Sequence, residues 1–226
     1  MIKTKKQGLL IVLSGPSGSG KNTVCDEVKK NNSNIWESIS MTSRKPRKGE
    51  EDGKAYYFVS TEEFEKNIED DKMLEWAKFA GNYYGTPKES VQKHLDKGED
   101  VILVIEIQGA LQIKKKLPQA LFIFLLPPSM RELKRRLTDR HTESEEKILE
   151  RFETAYKEIN EISKYNYVII NDKVEEAAQK LDAIIKAERC RVDRIEEVFL
   201  DTSEEKIHEI LVDKDLENKL VDVNKI

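Results

Sequence analysis

The amino-acid sequence predicts an α/β protein with three layers, in which helices cover both faces of a parallel sheet. Two observations support this class: short runs that are apolar throughout, and amphipathic segments between them. Strands buried on both faces of a sheet are apolar along their whole length, and their alternation with helices is typical of α/β folds. One such helix is predicted from Val174 to Val192, with a single apolar face. The apolar runs occupy residues 9–14, 101–107, 120–126 and 167–171.

Two segments interrupt this alternation. Residues 37–86 contain short, aromatic-rich stretches bounded by turns, which is typical of a small, mostly antiparallel sheet. A helix within it begins at a capping box, Ser60 with Glu63. Residues 129–160 predict two helices, introduced by the capping boxes Ser129–Glu132 and Thr142–Glu145. The predicted division is a core of residues 1–37, 91–128 and 161–191, an insert of residues 38–90, a helical insertion of residues 129–160, and a C-terminal extension of unknown role, residues 192–226.

Composition excludes several classes of partner. The net charge of −4 argues against a protein that binds nucleic acid through bulk positive charge. Cys25 and Cys190 lie far apart without metal-like spacing, which indicates reduced thiols in a cytosolic protein. The first apolar run is too short for a signal peptide, and no segment approaches the ~18 apolar residues of a membrane span. We therefore expect a cytoplasmic protein with no nucleic-acid or membrane partner, either a monomer or a homodimer.

The turn after the first apolar run has the pattern of a phosphate-binding loop. The stretch GPSGSGKN matches G-x-x-x-x-G-K and lacks only the final Ser or Thr. Glycines let backbone N–H groups point inward, the following helix adds partial positive charge, and Lys21 supplies a full charge for the outer phosphates. The alternative is a glycine-rich turn with an exposed lysine. The predicted ATP-binding residues of the loop are Gly15, Pro16, Ser17, Gly18, Ser19, Gly20, Lys21, Asn22 and Thr23.

Asn22 is the one departure from this pattern. A hydroxyl at its position normally helps to hold Mg²⁺. An amide oxygen is a poorer ligand, and the hydroxyl of Thr23 could contribute from the next position. Thr23 is therefore a candidate metal ligand.

A second basic site lies in the insert. Arg44 and Arg47 bracket Pro46, which stiffens the loop. Two guanidinium groups on a rigid loop suit a phosphate, because each can bind two oxygens. Tyr56 and Tyr84 could donate hydroxyl hydrogen bonds to the same group. The alternative is a solvated turn whose charges compensate one another.

Two carboxylates are candidate ligand-binding residues. Glu75 lies in the strand pattern MLEWAKF, either as an exposed residue or as an acceptor for the N1–H and amino groups of guanine. Adenine offers no matching pair of donors. Glu106 lies inside the apolar run VILVIEIQG, where a carboxylate in a buried strand is costly without a partner. We therefore expect Glu106 to act near a metal or a base.

Three arginines mark the helical insertion. Arg136 and Arg140 are four residues apart and share one helical face, where like charges repel unless an anion lies between them. Arg151 follows on the second helix. The alternative for Arg136 is an ion pair with Glu132. Arginines on a mobile helical pair suggest a lid that brings positive charge onto a transferring phosphoryl group and excludes water.

Together these segments resemble the guanylate kinase family over about residues 7–190. The stretches that carry the resemblance are GPSGSGK, SMTSRKPRKGEEDGKAYYF, EWAKFAGNYYGTP, EIQGA, PPS, RRLTDRHTES, ERF and VIIND. The resemblance implies the three-layer, parallel-sheet P-loop nucleoside monophosphate kinase fold, with a small mixed α+β GMP-binding insert and a helical lid. It also implies transfer of the γ-phosphoryl group of ATP to GMP, giving ADP and GDP, with Mg²⁺ and no covalent enzyme intermediate.

The resemblance also assigns roles to residues by position. Those implied to read guanine are Ser40, Glu75 and Thr86, with Glu106 nearby. Those implied to hold the GMP phosphate are Arg44, Arg47, Tyr56 and Tyr84. Those implied to stabilise the transferring group are Lys21, Arg136, Arg140 and Arg151, with Arg44 also counted as catalytic. Asn171, at the end of the last predicted strand, is implied to lie near the adenine of ATP.

The chain departs from the family pattern at two further positions. Val104 stands where many relatives carry an acid, and His141 stands where relatives often have glycine. Val104 and Asn22 both lower the number of oxygen ligands available to the metal. Glu106, directly or through water, is then the second candidate metal ligand in addition to Thr23. Mg²⁺ can retain waters and take substrate phosphates as ligands. Two alternatives stay open: a non-catalytic module that binds a phosphorylated protein through Arg44 and Arg47, and a kinase for another nucleotide.

Overall fold

The structure is a computed structural model that describes residues 2–4, 8–79, 81–138 and 145–198. Its strands are β1 (Ile2–Thr4), β2 (Leu10–Ser14), β3 (Ile35–Glu37), β4 (Met41–Thr42), β5 (Tyr57–Phe58), β6 (Met73–Phe79), β7 (Asn82–Pro87), β8 (Asp100–Val104), β9 (Leu121–Leu126), β10 (Tyr167–Ile170) and β11 (Ile195–Val198). Its α-helices are α1 (Lys21–Asn31), α2 (Thr61–Glu69), α3 (Lys88–Asp96), α4 (Ile107–Lys116), α5 (Met130–Thr138), α6 (Glu145–Ile159) and α7 (Val174–Arg189). Short 3₁₀ helices cover Asn160–Lys164 and Val192–Arg194.

A parallel sheet forms the centre of the larger compact unit, residues 6–184. Its five strands lie in the order β10-β9-β2-β8-β3, and all four ladders are parallel. Val12 of the middle strand β2 lies opposite Leu103 of β8 and Phe122 of β9. All three side chains are buried, together with Ala110 and Ile113 of α4. This arrangement confirms the predicted α/β class. The apolar run at 167–171 is an exception to the predicted burial on both faces, because β10 is an edge strand whose Val168 and Ile170 side chains are exposed.

The apolar run at 101–107 is divided between two elements, which corrects the expectation for Glu106. Strand β8 ends at Val104, and helix α4 begins at Ile107. Ile105 and Ile107 are buried on either side of the junction. Glu106 precedes the helix with an extended backbone, and 66% of its side-chain surface is exposed. The prediction of a buried strand carboxylate was therefore wrong, because a strand and a helix that are both buried read as one continuous apolar run.

The insert contains a four-stranded sheet in the order β5-β4-β7-β6. The β4–β5 ladder is parallel and the other two are antiparallel, which confirms the predicted, mostly antiparallel sheet. Helix α2 begins as predicted, since the Glu63 backbone N–H donates to Ser60 Oγ at 3.0 Å. The β6–β7 register shifts between Met73 and Glu75, where the ladder is irregular.

The two helices predicted at 129–160 are present as α5 and α6. The Glu132 backbone N–H donates to Ser129 Oγ at 3.1 Å, which is the predicted cap of α5. Leu133 and Leu137 of α5 pack with Ala155 of α6 in a small buried cluster. Thr142, the predicted cap of α6, lies outside the described residues.

The second compact unit brings strand β1 together with the segment that begins at Ile185. Strand β1 pairs with β11 in an antiparallel ladder, with Ile2 opposite Val198. Within this unit Arg194 donates to the buried Glu188 carboxylate at 3.2 Å. No sequence pattern had indicated either strand, since each is short and the pairing is remote in sequence.

Two further features bear on the predicted surroundings of the protein. None of the helices in the described part of the chain has the length and apolar character needed to cross a bilayer. Cys25 is buried and Cys190 is exposed, and both are free thiols, as the sequence had indicated.

The central sheet provides a test of packing. Replacing the fully buried Leu103 with Ala should lower the free energy of unfolding by about 2–5 kcal/mol, because the change removes buried methyl groups and leaves a cavity beside β2. The matched change at Leu149, which is 58% exposed, should alter it by no more than about 0.5 kcal/mol. Urea denaturation of both variants measures the difference, and equal effects would contradict the description of the core.

Candidate active site

The loop between β2 and α1 adopts a conformation that favours glycine, as Gly20 and Gly15 illustrate. Gly20, the residue before α1, has φ 93°, in the left-handed region that favours glycine. A Cβ at Gly15 would overlap the carbonyl oxygen of Leu125 on the neighbouring strand β9. Helix α1 has no acidic side chain in its first turn, so its N-terminal N–H groups keep their positive character. The loop therefore has the geometry expected of an anion-binding loop.

Lys21 folds back over this loop. Its side chain is only 8% exposed, its Nζ donates to the Gly15 carbonyl at 2.7 Å, and it lies 3.4 Å from Glu106 Oε1. These contacts rule out the alternative of an exposed lysine on a structural turn. A cavity of about 370 Å³ opens here, lined by Ser17, Gly18, Gly20, Lys21, Asn22, Thr23 and Glu106.

A neighbouring cavity of about 250 Å³ lies on the Asn171 side of the loop. Asn171 is buried, its Nδ2 donates to the Ser19 carbonyl at 2.8 Å, and its own carbonyl accepts from Arg136 at 3.0 Å. Asn171 thus ties the end of β10 to the loop. The cavity is lined by Gly18, Gly20, Thr23, Arg136, Asn171 and Val174, and shares three of these with the first.

Two of the three predicted arginines reach the rim of these cavities. Arg136 is held by Glu132, with Nε 2.8 Å from Oε1, so the predicted alternative of an ion pair is present. The same guanidinium also contacts Asn171, which keeps it beside the loop. Arg151 of α6 donates to the hydroxyl of Ser17. Arg140 lies outside the described residues.

Glu158 is a site residue that the sequence analysis missed. It lies on α6 seven residues after Arg151, and thus near the same helical face. Burial, with a contribution from the negative charge of Glu106, raises the pKa of Glu158 to about 7, while Lys21 opposes the shift. The spacing from Arg151 was the only signal in the sequence, and it did not indicate burial.

The loop arginines of the insert are arranged around Glu50, which sequence reasoning did not single out. Arg44 binds Glu50 through two hydrogen bonds of 2.9 and 3.0 Å, and its Cζ lies 5.5 Å from the centre of the Tyr56 ring. Hydrogen bonding to Glu50, with a smaller contribution from Tyr84, raises the pKa of Arg44. Arg47 is exposed, and its backbone N–H donates to Glu50 at 2.7 Å. The predicted charge compensation within this loop is therefore present. Arg44 also lies beside Tyr56 and Tyr84, the tyrosines predicted to bind the same phosphate.

Glu75 is buried, so the alternative of an exposed strand residue is wrong. It is 5% exposed, Thr86 donates its hydroxyl to Oε1 at 2.7 Å, and burial raises the pKa of the carboxyl group. The β6 ladder is irregular at this point, and Met73, Leu74 and Glu75 are buried in succession instead of alternating.

The residues predicted to bind the second ligand follow strand β7. Tyr84 and Thr86 are two residues apart on one strand, so their side chains lie on the same face and their Cα atoms are about 7 Å apart. Extending the β4–β7 register by one residue places Ser40 opposite Thr86. The tyrosine pair, Tyr56 with Tyr84, has ring centres 6.0 Å apart. One face of the insert sheet thus has two ends: Arg44 with the two tyrosines at one, and Glu75 with Thr86 at the other.

The raised pKa of Glu158 predicts a pH dependence of stability. Its usual value is 4.5, so between about pH 4.5 and 7 the folded protein retains a proton that the unfolded chain has lost. Stability contributed by this group is therefore lost as pH rises through that window. The fall in unfolding free energy between pH 5 and pH 8 should be smaller in Glu158→Gln than in the unmodified protein, measured by urea denaturation.

Glu153, which is exposed on the same helix, provides the control for this experiment. Glu153→Gln should leave the fall in stability unchanged. An equal fall in all three proteins would show that Glu158 is not responsible.

Comparison with known proteins agrees with this geometry. A family model described as Guanylate kinase matches residues 7–188. The guanylate kinase of Clostridium tetani is 58% identical over 208 residues, which are 92% of this chain and 100% of that protein. The guanylate kinase of Caldanaerobacter subterraneus subsp. tengcongensis is 57% identical over 203 residues, 90% of this chain and 98% of that protein.

A solved structure extends the comparison to the fold. The crystal structure of guanylate kinase from Anaplasma phagocytophilum is similar with a TM-score of 0.70 and 36% sequence identity, over 85% of this chain and 92% of that chain. The parallel sheet, the phosphate loop and the insert are thus found in one α/β P-loop kinase fold. Because the family model spans most of the chain and the relatives match along nearly their full length, the chain belongs to the guanylate kinase family.

Proposed function

We propose that this site transfers the γ-phosphoryl group of ATP to the phosphate of GMP, giving ADP and GDP. The observation that carries the proposal is the buried Glu75–Thr86 pair, on an insert attached to a core with a phosphate loop. A buried carboxylate that accepts one bond from Thr86 keeps acceptor capacity for the two adjacent donors of guanine. The curated relatives that are 50–58% identical are guanylate kinases, which supports the same activity.

The ATP end of the proposed site is the loop and its arginines. Backbone N–H groups of the loop, the start of α1 and Lys21 would hold the phosphates of ATP. Arg136 and Arg151, which already contact Asn171 and Ser17, would stabilise charge on the transferring group, and Arg140 is assigned the same role by position alone.

The GMP end is the face of the insert sheet. Its phosphate would be held by Arg44, Arg47, Tyr56 and Tyr84, and its base by Ser40, Glu75 and Thr86, with Glu106 near both substrates. Glu50 already fixes the guanidinium of Arg44. An oxygen of the GMP phosphate attacks the γ-phosphorus as the bond to the bridging oxygen of ADP breaks. Catalysis is then positioning and charge stabilisation, with no covalent enzyme intermediate.

The residues around the loop fit Mg²⁺ as a co-substrate ion. Glu106, Asn22 and Thr23 line the larger cavity and offer only oxygen ligands that Mg²⁺ accepts. Among the described residues, no group of three or more His, Cys, Asp or Glu could hold a metal, so the phosphates and water would complete the shell. When bound, the ion neutralises phosphate charge. Thr23 or Glu106, the latter directly or through water, would hold it.

The remaining expectations concern the surroundings of the enzyme. We infer a cytoplasmic protein without a nucleic-acid partner, monomeric or homodimeric, with residues 129–160 acting as the lid and residues 38–90 as the GMP-binding insert. The free thiols support the inferred compartment, and the modest net charge supports the absence of a nucleic-acid partner.

Lys21 gives the most direct test of the phosphate loop. Lys21→Met should lower turnover with ATP and GMP by about 10²-fold or more, because the variant loses a preorganised positive charge at the transferring group. Lys30→Met makes the same change at an exposed position of the same helix and should keep turnover within about twofold. Near-normal turnover in Lys21→Met, with an unchanged circular dichroism spectrum, would contradict the proposed role.

Replacing Glu75 tests which nucleotide accepts the phosphoryl group. The unmodified protein should use GMP far better than AMP or UMP, and Glu75→Gln should lower kcat/KM for GMP by about 10²-fold, because an amide N–H₂ then faces the guanine donors. The KM for ATP should not change. A protein that binds ATP but phosphorylates none of the three acceptors would instead favour the non-catalytic alternative.

A further inference from the structure

Helix α4 of the core covers the edge of the insert sheet. Strand β6 is the last strand of that sheet, so within the described residues no strand pairs with its outer backbone groups. The side chain of Gln112 bonds both groups of one residue there: Oε1 accepts from the Trp76 N–H at 3.2 Å, and Nε2 donates to the Trp76 carbonyl at 2.8 Å. One amide side chain thus replaces the pair of hydrogen bonds that a neighbouring strand would make.

The same helix holds the start of β6. Lys116, one turn further along α4, donates to the Leu74 carbonyl at 2.9 Å. The Leu74 side chain belongs to the buried cluster that contains Ala110 and Ile113 of α4. Polar and apolar contacts on both sides of Glu75 therefore attach this strand to the core.

Gly109 lies one turn before Gln112 on the same helix, against the Glu75 carboxylate. A Cβ at Gly109 would lie 2.5 Å from Glu75 Oε2 and 3.0 Å from its Cδ, closer than side chains pack. On the other side of the carboxylate, the Thr86 hydroxyl donates to Glu75 Oε1 at 2.7 Å. The carboxylate therefore occupies a slot between Thr86 and the backbone of α4, and the missing side chain at Gly109 makes that slot.

We infer that Gly109 and Gln112 are positioning residues that determine guanine specificity: Gly109 leaves room for the Glu75 carboxylate, and Gln112 fixes the strand that carries it. This inference rests on the proposed function, in which Glu75 reads guanine. Neither residue needs to touch the substrate. Their effect is to hold a carboxylate where it accepts from two donors at once.

Inosine monophosphate is the probe that separates this role from a general loss of structure. Its base keeps the N1–H donor of guanine and lacks the exocyclic amino group. A carboxylate in the correct place gains a second hydrogen bond from GMP only, whereas a displaced carboxylate gains little from either. The ratio of kcat/KM for GMP to that for inosine monophosphate therefore reports the position of Glu75.

The experiment measures this ratio, with the KM for ATP, in the unmodified protein and in Gly109→Ala, Gln112→Leu and Glu75→Gln. Gly109→Ala should lower the ratio by about tenfold and Gln112→Leu by about threefold, with the KM for ATP unchanged. Alanine is a better helix former than glycine, so the first variant is not expected to weaken α4 itself. Gln179→Leu, the same change at an exposed position of α7, should leave the ratio unaltered.

A double variant tests whether Gly109 acts through Glu75. In the Glu75→Gln background, Gly109→Ala should lower the ratio no further, since both changes remove the same recognition. An unchanged ratio in both Gly109→Ala and Gln112→Leu, or independent effects in the double variant, overturns the inference while the proposed function stands. An unchanged ratio in Glu75→Gln refutes guanine recognition by Glu75 and overturns both. If Gly109→Ala does not fold, the ratio measured in Gln112→Leu alone tests the inference.

Discussion

The ladders that hold β2 between β8 and β9 are the constraint on which the site depends. The side chains of Ile11, Val12 and Leu13 are fully buried, so the strand cannot shift without exposing apolar surface. Its last residue, Ser14, therefore has a fixed position, and the loop begins there. Because β8 and β9 run parallel to β2, their carboxyl ends lie at the same edge of the sheet. Glu106 is brought to Lys21 in this way.

Charge at this edge is balanced by partners that belong to different elements. Lys21 lies between a loop carbonyl and Glu106, and Arg136 lies between Glu132 and the carbonyl of Asn171. Lys21 and Arg136 thus each have partners within the protein, and the phosphates proposed to bind here are themselves anionic. The same principle holds in the insert, where Glu50 orders Arg44. In the proposed function, a bound phosphate would take the place of these carboxylate and carbonyl partners.

Helix α4 connects the two halves of the site. Its first residue follows Glu106 at the phosphate loop, and its middle turns contact β6 through Gly109 and Gln112. Because α4 begins beside Lys21 and contacts the strand that carries Glu75, it links the positions of these two residues. Since phosphoryl transfer requires the reacting groups to be aligned, this connection has a direct consequence for catalysis.

Features with local signals were predictable from the amino-acid sequence. The loop pattern, the caps at Ser60 and Ser129 and the apolar strands β2, β8 and β9 depend on neighbouring residues, and the structure confirms them. The environments of three acidic residues depend instead on tertiary contacts. Glu106 is exposed because a strand and a helix meet beside it, and Glu75 is buried because its carboxylate lies between Thr86 and the backbone of α4. The pKa of Glu158 is raised because the side chain is partly buried near Glu106. Burial and electrostatic environment arise from contacts between segments remote in sequence, and no local pattern encodes them.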